Sequence, residues 1–201
     1  MKDKFTMKKI SQKLHDRYNL CFDYLKESRN FIWIAIGIFF FFALIGFFVP
    51  LPENIQNEII SYFKKLILET QNFNSWEMIE FLFINNSNAT FIGLFSGFLF
   101  GIIPFFHAIL NGFVLGFASA ISVSENGLIS LWRLFPHGIF ELPAVFISLG
   151  LGFKLGSFIF FKNAKKKFRE FFIKSINVYV FIILPLLVIA AILEGLLVVF
   201  L

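Results

Sequence analysis

Two side chains in this sequence combine the types and the spacing for chemistry: His137 and Glu141, in the stretch Pro136-His137-Gly138-Ile139-Phe140-Glu141-Leu142-Pro143-Ala144. Residues four apart share one face of a helix, so in a helix the imidazole and the carboxylate are neighbours. They open an apolar run that continues to Phe161. A charged group inside an apolar span costs roughly 2.5 to 3.5 kcal/mol on insertion scales unless something pairs with it, which makes it a candidate for function. A second carboxylate, Glu194, lies in the last apolar run, while Asn85, Asn86 and Asn111 bring amides in or beside two others.

Several chemistries fit these residue types. A structural network would tie helix ends through His137 and Glu141 and satisfy Glu194 with asparagine side chains, since buried polar groups need partners. A substrate or ion path would use the two carboxylates to exchange protons. His-Glu-Glu is a possible metal-ligand set by type, but His-x-x-x-Glu lacks the specificity of His-Glu-x-x-His, so neither a metal nor a cofactor is expected. Intramembrane hydrolysis has no Gly-x-Ser-x-Gly elbow to start from, and Cys21 falls far from these residues. No catalytic residue is assigned.

The elements that must position these groups follow from composition. The chain has 201 residues, 58% of them hydrophobic, 33 of them phenylalanine, and a mean hydropathy of +0.79. Those values lie outside the range of soluble domains and predict an integral membrane protein. Most of the 18 Lys and Arg residues fall within 1–30 and 162–174. Clustering beside apolar runs is the positive-inside pattern, which places both segments in the cytoplasm and explains the net charge of +5 by anionic lipid, with no nucleic-acid partner needed. Cys21 is the only cysteine, so no intramolecular disulfide can form. The first long apolar run ends in Val49-Pro50-Leu51-Pro52 without a small-x-small cleavage site and is expected to stay as an anchor.

The predicted fold is an all-α polytopic transmembrane bundle of about five spans, near residues 31–49, 87–104, 106–123, 137–161 and 176–201. Residues 1–30 form an amphipathic N-terminal segment, with Ile10, Leu14, Tyr18, Cys21 and Leu25 on one stripe expected to lie on the inner leaflet. An external amphipathic segment covers 51–84, and Asn74-Ser75-Trp76-Glu77 within it has the pattern of a capping box. Between Phe81 and Ser124 the sole ionisable group is His107, and Pro104 lies near the middle, so two spans or a re-entrant hairpin turn there. Gly93, Gly97 and Gly101, then Gly112 and Gly116, recur every four residues, the spacing that lets helix backbones approach closely in lipid and that also allows a homodimer. Lys162 to Lys174 reads as a basic loop, and Lys154 as a side chain that snorkels to the interface. Glu141 lies about 6 Å inward of His137, and Glu194 has risen roughly 27 Å from the opposite side. Asn85, Asn86, His137, Glu141 and Glu194 are therefore expected at one outer level, under Arg133, with His107 and Asn111 on a separate inner level.

Through Asn85-Asn86, Gly97, Gly101, Pro104, Asn111-Gly112, Gly116, Pro136-His137-Gly138, Glu141-Leu142-Pro143 and Glu194, the chain resembles the stage II sporulation protein M family of polytopic membrane proteins. The resemblance implies an all-helical bundle of about five spans. In spore-forming bacteria it also implies a membrane component that assembles with cell-wall-degrading partners during engulfment. The resulting expectation is a non-enzymatic scaffold or recruiter of partner proteins in the plasma membrane, with the N-terminus cytoplasmic and the C-terminus external. The alternative is a small, proton-coupled transporter or permease that uses the His/Glu cluster.

Overall fold

A computed structural model describes the backbone of residues 2–200 and the side chains of residues 12–132 and 138–196. Every regular element among them is helical: α1 (Lys2–Phe48), α2 (Glu53–Thr70), α3 (Ser75–Phe95), α4 (Ile102–Asn126), α5 (Phe135–Gly156), α6 (Ala164–Val178) and α7 (Leu184–Phe200). The all-α polytopic bundle expected from sequence is the fold found. Among the described residues four helices are long and apolar enough to cross a membrane, within Gln12–Phe48, Ile102–Asn126, Gly138–Phe160 and Ala164–Leu196. Helix α3 packs alongside α5 and α7 but begins with Glu77 and Glu80 and carries Asn85 and Asn86, which keeps it out of that set.

Helix α1 departs from expectation. The N-terminal segment and the first apolar run form one continuous helix of 47 residues, which rises about 70 Å against a hydrocarbon core of about 30 Å. No glycine or proline precedes Gly37 to interrupt it. Its amphipathic stripe meets protein as well as solvent: Cys21 and Tyr24 are buried in the same core cluster as Phe171 and Val178, and Tyr18 packs edge-on against Phe181 at 5.8 Å. The helix ends where Pro50 disfavours the α conformation of the residue before it.

The chain between α3 and α4 turns at residues 96–101, earlier than the Pro104 position suggested by sequence. Phe100 has φ 57° and Gly101 φ 74°. The left-handed conformation costs a non-glycine residue roughly 1–2 kcal/mol, a cost that Gly101 avoids. Pro104 then occupies the first turn of α4, where its missing N–H has no helical partner to lose.

The basic segment expected as a loop is instead largely helix α6. Its lysines are laced to Glu170 at helical spacing, Lys167 at 2.9 Å and Lys174 at 3.1 Å, which supports the helical conformation. It continues through a π-helical turn, Tyr179–Ile183, into α7. Pro185 explains that turn: it cannot donate to the carbonyl of Phe181, and its ring crowds that carbonyl, so the helix widens just before it.

Glycines join the helices. A Cβ on Gly112 would run into the carbonyl of Phe39, on Gly116 into that of Ala43, and on Gly97 into that of Gly152. The first two contacts set α4 parallel to α1, and the third sets the turn after α3 against α5. The glycine faces that could have served a homodimer are thus used within one chain at these positions. Gly93 packs against side chains, with Leu149, Ser148 and His107 around it.

Gly116→Leu should lower unfolding stability in mild detergent by about 1–3 kcal/mol, the usual cost of overpacking. Gly37→Leu is the control, because a Cβ there meets nothing within 4 Å; its thermal midpoint should not fall. Equal losses in the two variants would contradict the assignment of the α1–α4 seam.

Candidate functional site

Helices α3, α4 and α5 enclose a cavity of about 130 Å³ lined by Asn85, Asn86 and Thr90 of α3, His107 and Asn111 of α4, and Glu141 and Ser148 of α5, with Ala89, Val145 and Leu149. Helical spacing produces each contribution: Asn86 and Thr90 are one turn apart, as are His107 and Asn111. Ser148 Oγ donates to the Thr90 carbonyl and fixes α5 against α3. Thr90 Oγ1 donates to the carbonyl of Asn86 at 2.8 Å, and Asn111 Nδ2 to that of His107 at 2.8 Å. Asn85 Nδ2 approaches Asn86 Oδ1 at 3.5 Å. Among the described residues His107 Nδ1 is buried with no hydrogen-bond partner, and Gly93 leaves room for its ring: a Cβ there would stand 3.2 Å from that nitrogen.

Size limits what the cavity can do. Sites for organic ligands occupy roughly 300–1,000 Å³, so this one suits water, a proton or a single small cation. One carboxylate, one imidazole and several amide and hydroxyl groups are the donor set on offer. Among the described residues, no group of three or more His, Cys, Asp and Glu lies close enough together to hold a metal ion.

Asn85, Asn86, Asn111 and Glu141 are thus brought together from the sequence-derived set. Glu194 is 9% exposed on α7 beside Gly195, which packs on Ile79 of α3, and it is not part of the cavity lining. His137 and Arg133 lie outside the described side chains. His107 and Asn111 do not form a separate level, and the position of the turn gives the reason. With the turn at 96–101, Asn86 lies about 14 Å before the end of α3 and Asn111 about 14 Å after the start of α4. The two therefore stand at the same height, as do Thr90 and His107.

A second polar cluster went unrecognised in the sequence. Lys154 does not snorkel: it is 5% exposed, and its Nζ donates to Ser28 Oγ at 3.1 Å and to Glu27 Oε2 at 3.4 Å. The ammonium also stands 4.1 Å from the centroid of the Tyr24 ring, a cation–π geometry. Glu27 reaches Lys174 at 3.5 Å, so the network joins α1, α5 and α6. The available signal was a lone cation inside an apolar run with Glu27 and Ser28 adjacent on another helix.

Replacing a buried ion pair with apolar volume is often neutral, whereas removing one partner strands a charge. Lys154→Met removes the buried charge itself and leaves Glu27 half exposed and still paired with Lys174, so it strands no charge and should change unfolding stability little. Glu27→Ala should cost about 1–3 kcal/mol, the buried-pair figure discounted because Glu27 is itself half exposed. Denaturant unfolding in detergent micelles checks the order, and a larger loss for Lys154→Met would reverse it.

The Stage II sporulation protein M family description matches residues 35–198. An uncharacterized protein of Methanocaldococcus jannaschii is 38% identical over 73 residues, which cover 35% of this chain and 41% of that protein. The match thus spans about two fifths of the relative's length. No solved structure matches. With its apolar helices, glycine seams and buried polar residues in place, the chain belongs to the Stage II sporulation protein M family and is an integral membrane protein.

Proposed function

We propose that this protein is a non-enzymatic scaffold of the plasma membrane that recruits partner proteins, with its N-terminus in the cytoplasm and its C-terminus outside. The observation that carries the proposal is α2. The helix is amphipathic, none of its residues is buried, and Ile55, Tyr62, Ile67 and Leu68 are between 41% and 64% exposed. Ile59, Phe63 and Leu66 are half-buried, but most of the helix's apolar surface is left uncovered by its own chain and is available to a partner. The orientation rests on the basic clusters at residues 1–30 and 162–174, which the positive-inside rule assigns to the cytoplasm.

A small, proton-coupled transporter or permease is the second reading, favoured by one observation: a carboxylate and an imidazole nitrogen with no partner among the described residues line one cavity between the helices. Residues of this type inside spans mark proton and ion paths in many membrane proteins.

Two experiments separate the readings. Photo-crosslinking residues placed at Tyr62 and Leu68 in native membranes should give discrete protein adducts, whereas the same residue at Leu44 on α1 should give none; adducts with lipid alone would overturn recruitment through α2. Proteoliposomes of the wild-type chain should carry no proton or sodium flux under the scaffold reading. Flux that Glu141→Gln and His107→Ala both abolish would establish transport in its place.

A further inference from the structure

The cavity between α3, α4 and α5 is too small for an organic ligand, and the hydrogen bonds of its walls narrow the choice among small ones. A hydroxyl has one hydrogen to give. Ser148 gives its hydrogen to the Thr90 carbonyl, and Thr90 gives its own to the Asn86 carbonyl, so both hydroxyls of the lining are left with lone pairs alone. Asn111 turns its amide nitrogen to the His107 carbonyl at 2.8 Å. Only the nitrogen end of a carboxamide can donate to a carbonyl, so Oδ1 is the other end of that side chain. The hydrogens that remain belong to the asparagine amides, and Asn85 turns one of its own toward Asn86 Oδ1 at 3.5 Å.

Glu141 adds a carboxylate to the same lining. A carboxylate has about four lone-pair positions, so it serves the cavity whatever else it holds. Among the described residues no Lys or Arg lines the cavity. A lining rich in oxygen lone pairs and carrying one negative group matches a hard cation, which takes oxygen ligands. Charge then limits the ion. The lining supplies one carboxylate, and among the described residues no group of three or more His, Cys, Asp and Glu could hold a metal ion. A monovalent ion needs no such group, since neutral carbonyl oxygens coordinate sodium in membrane proteins. Volume agrees: 130 Å³ is room for about four waters at about 30 Å³ each, enough for one ion with part of its hydration shell.

We propose that this cavity binds one sodium ion, held by the Glu141 carboxylate, Asn111 Oδ1 and Ser148 Oγ, with water completing the shell. Water on a cation turns its hydrogens outward, and one of them gives a hydrogen bond to His107 Nδ1, which is buried and has no partner among the described residues. The ion thereby joins α4 to α5 across the cavity. The inference rests on neither functional reading. An ion that binds and stays fits a scaffold, an ion that binds and crosses fits a transporter, and sodium flux into proteoliposomes reports crossing separately.

The test uses the full chain purified in mild detergent, with sodium chloride as the probe and N-methyl-D-glucamine chloride of equal ionic strength as the reference, so that screening cancels. Equilibrium dialysis with radioactive sodium should find one ion per chain. The thermal midpoint should rise with sodium and, above saturation, follow the logarithm of its concentration, while the reference salt should leave it unchanged. Glu141→Gln should weaken sodium binding by about tenfold or more, the usual loss for a contact to a charged group. Asn111→Leu should weaken it as well, and Gly37→Leu, on the open face of α1, should leave it as in the wild type. Absence of bound sodium in the wild-type chain would overturn the proposal and leave water as the occupant. So would equal midpoints in the two salts, or wild-type affinity in both cavity variants. If Glu141→Gln does not fold, Asn111→Leu decides alone.

Discussion

Helix backbones in this protein touch at glycines, and most of the remaining architecture depends on that contact. Lipid tails are as apolar as leucine, so no hydrophobic gain draws helices together inside a bilayer; close van der Waals packing must do it. The approach of Gly112 to the Phe39 carbonyl and of Gly116 to that of Ala43 locks α4 beside α1. The approach of Gly152 to the Gly93 carbonyl locks α5 beside α3, and that of Gly97 to Gly152 fixes the turn that follows. With α1 also packed on α5 through Gly150 and Ile32, the four helices have little freedom to slide or rotate.

The polar groups are consequences of this arrangement. Once α3 and α5 are fixed in register, Ser148 meets the Thr90 carbonyl, and the faces bearing Asn86, Asn111, His107 and Glu141 turn inward together. At the basic end the same register carries Lys154 to Glu27 and Ser28, where a cation that would otherwise seek the interface finds an anion, a hydroxyl and an aromatic face. The cavity of α3, α4 and α5 is too small for an organic substrate, and the Lys154 cluster is buried at the ammonium and open at Glu27. The face of α2 is a surface outside both.

Much of this was legible in the chain. The absence of charge from Phe81 to Ser124 and the four-residue glycine repeats point directly to packed membrane helices. The Asn74 capping box forms as its spacing requires, with the Asn74 side chain accepting from Trp76 and Glu77 at 3.0 and 3.1 Å and Glu77 accepting from the Asn74 N–H at 2.8 Å. What was illegible concerns elements whose signals have two physical meanings. Proline suits both a turn and a first helical turn, so Pro104 did not reveal that the chain reverses at 96–101, and His107 and Asn111 were assigned a different depth as a result. Lysine near a span end can snorkel or pair, and only the partner helix decides which. Dense positive charge reads as a loop until Glu170, bridging Lys167 and Lys174, makes a helix of α6.

The convergence of α3, α4 and α5 on one polar cavity is the central structural claim and the one on which the transport reading stands, and cross-linking of paired cysteines in native membranes tests it most directly. In a Cys21→Ser background, a short bifunctional thiol reagent should bridge N111C to E141C rapidly and leave N111C with E194C unlinked. Efficient bridging of the second pair with none of the first would mean that α4 does not face α5 across this cavity.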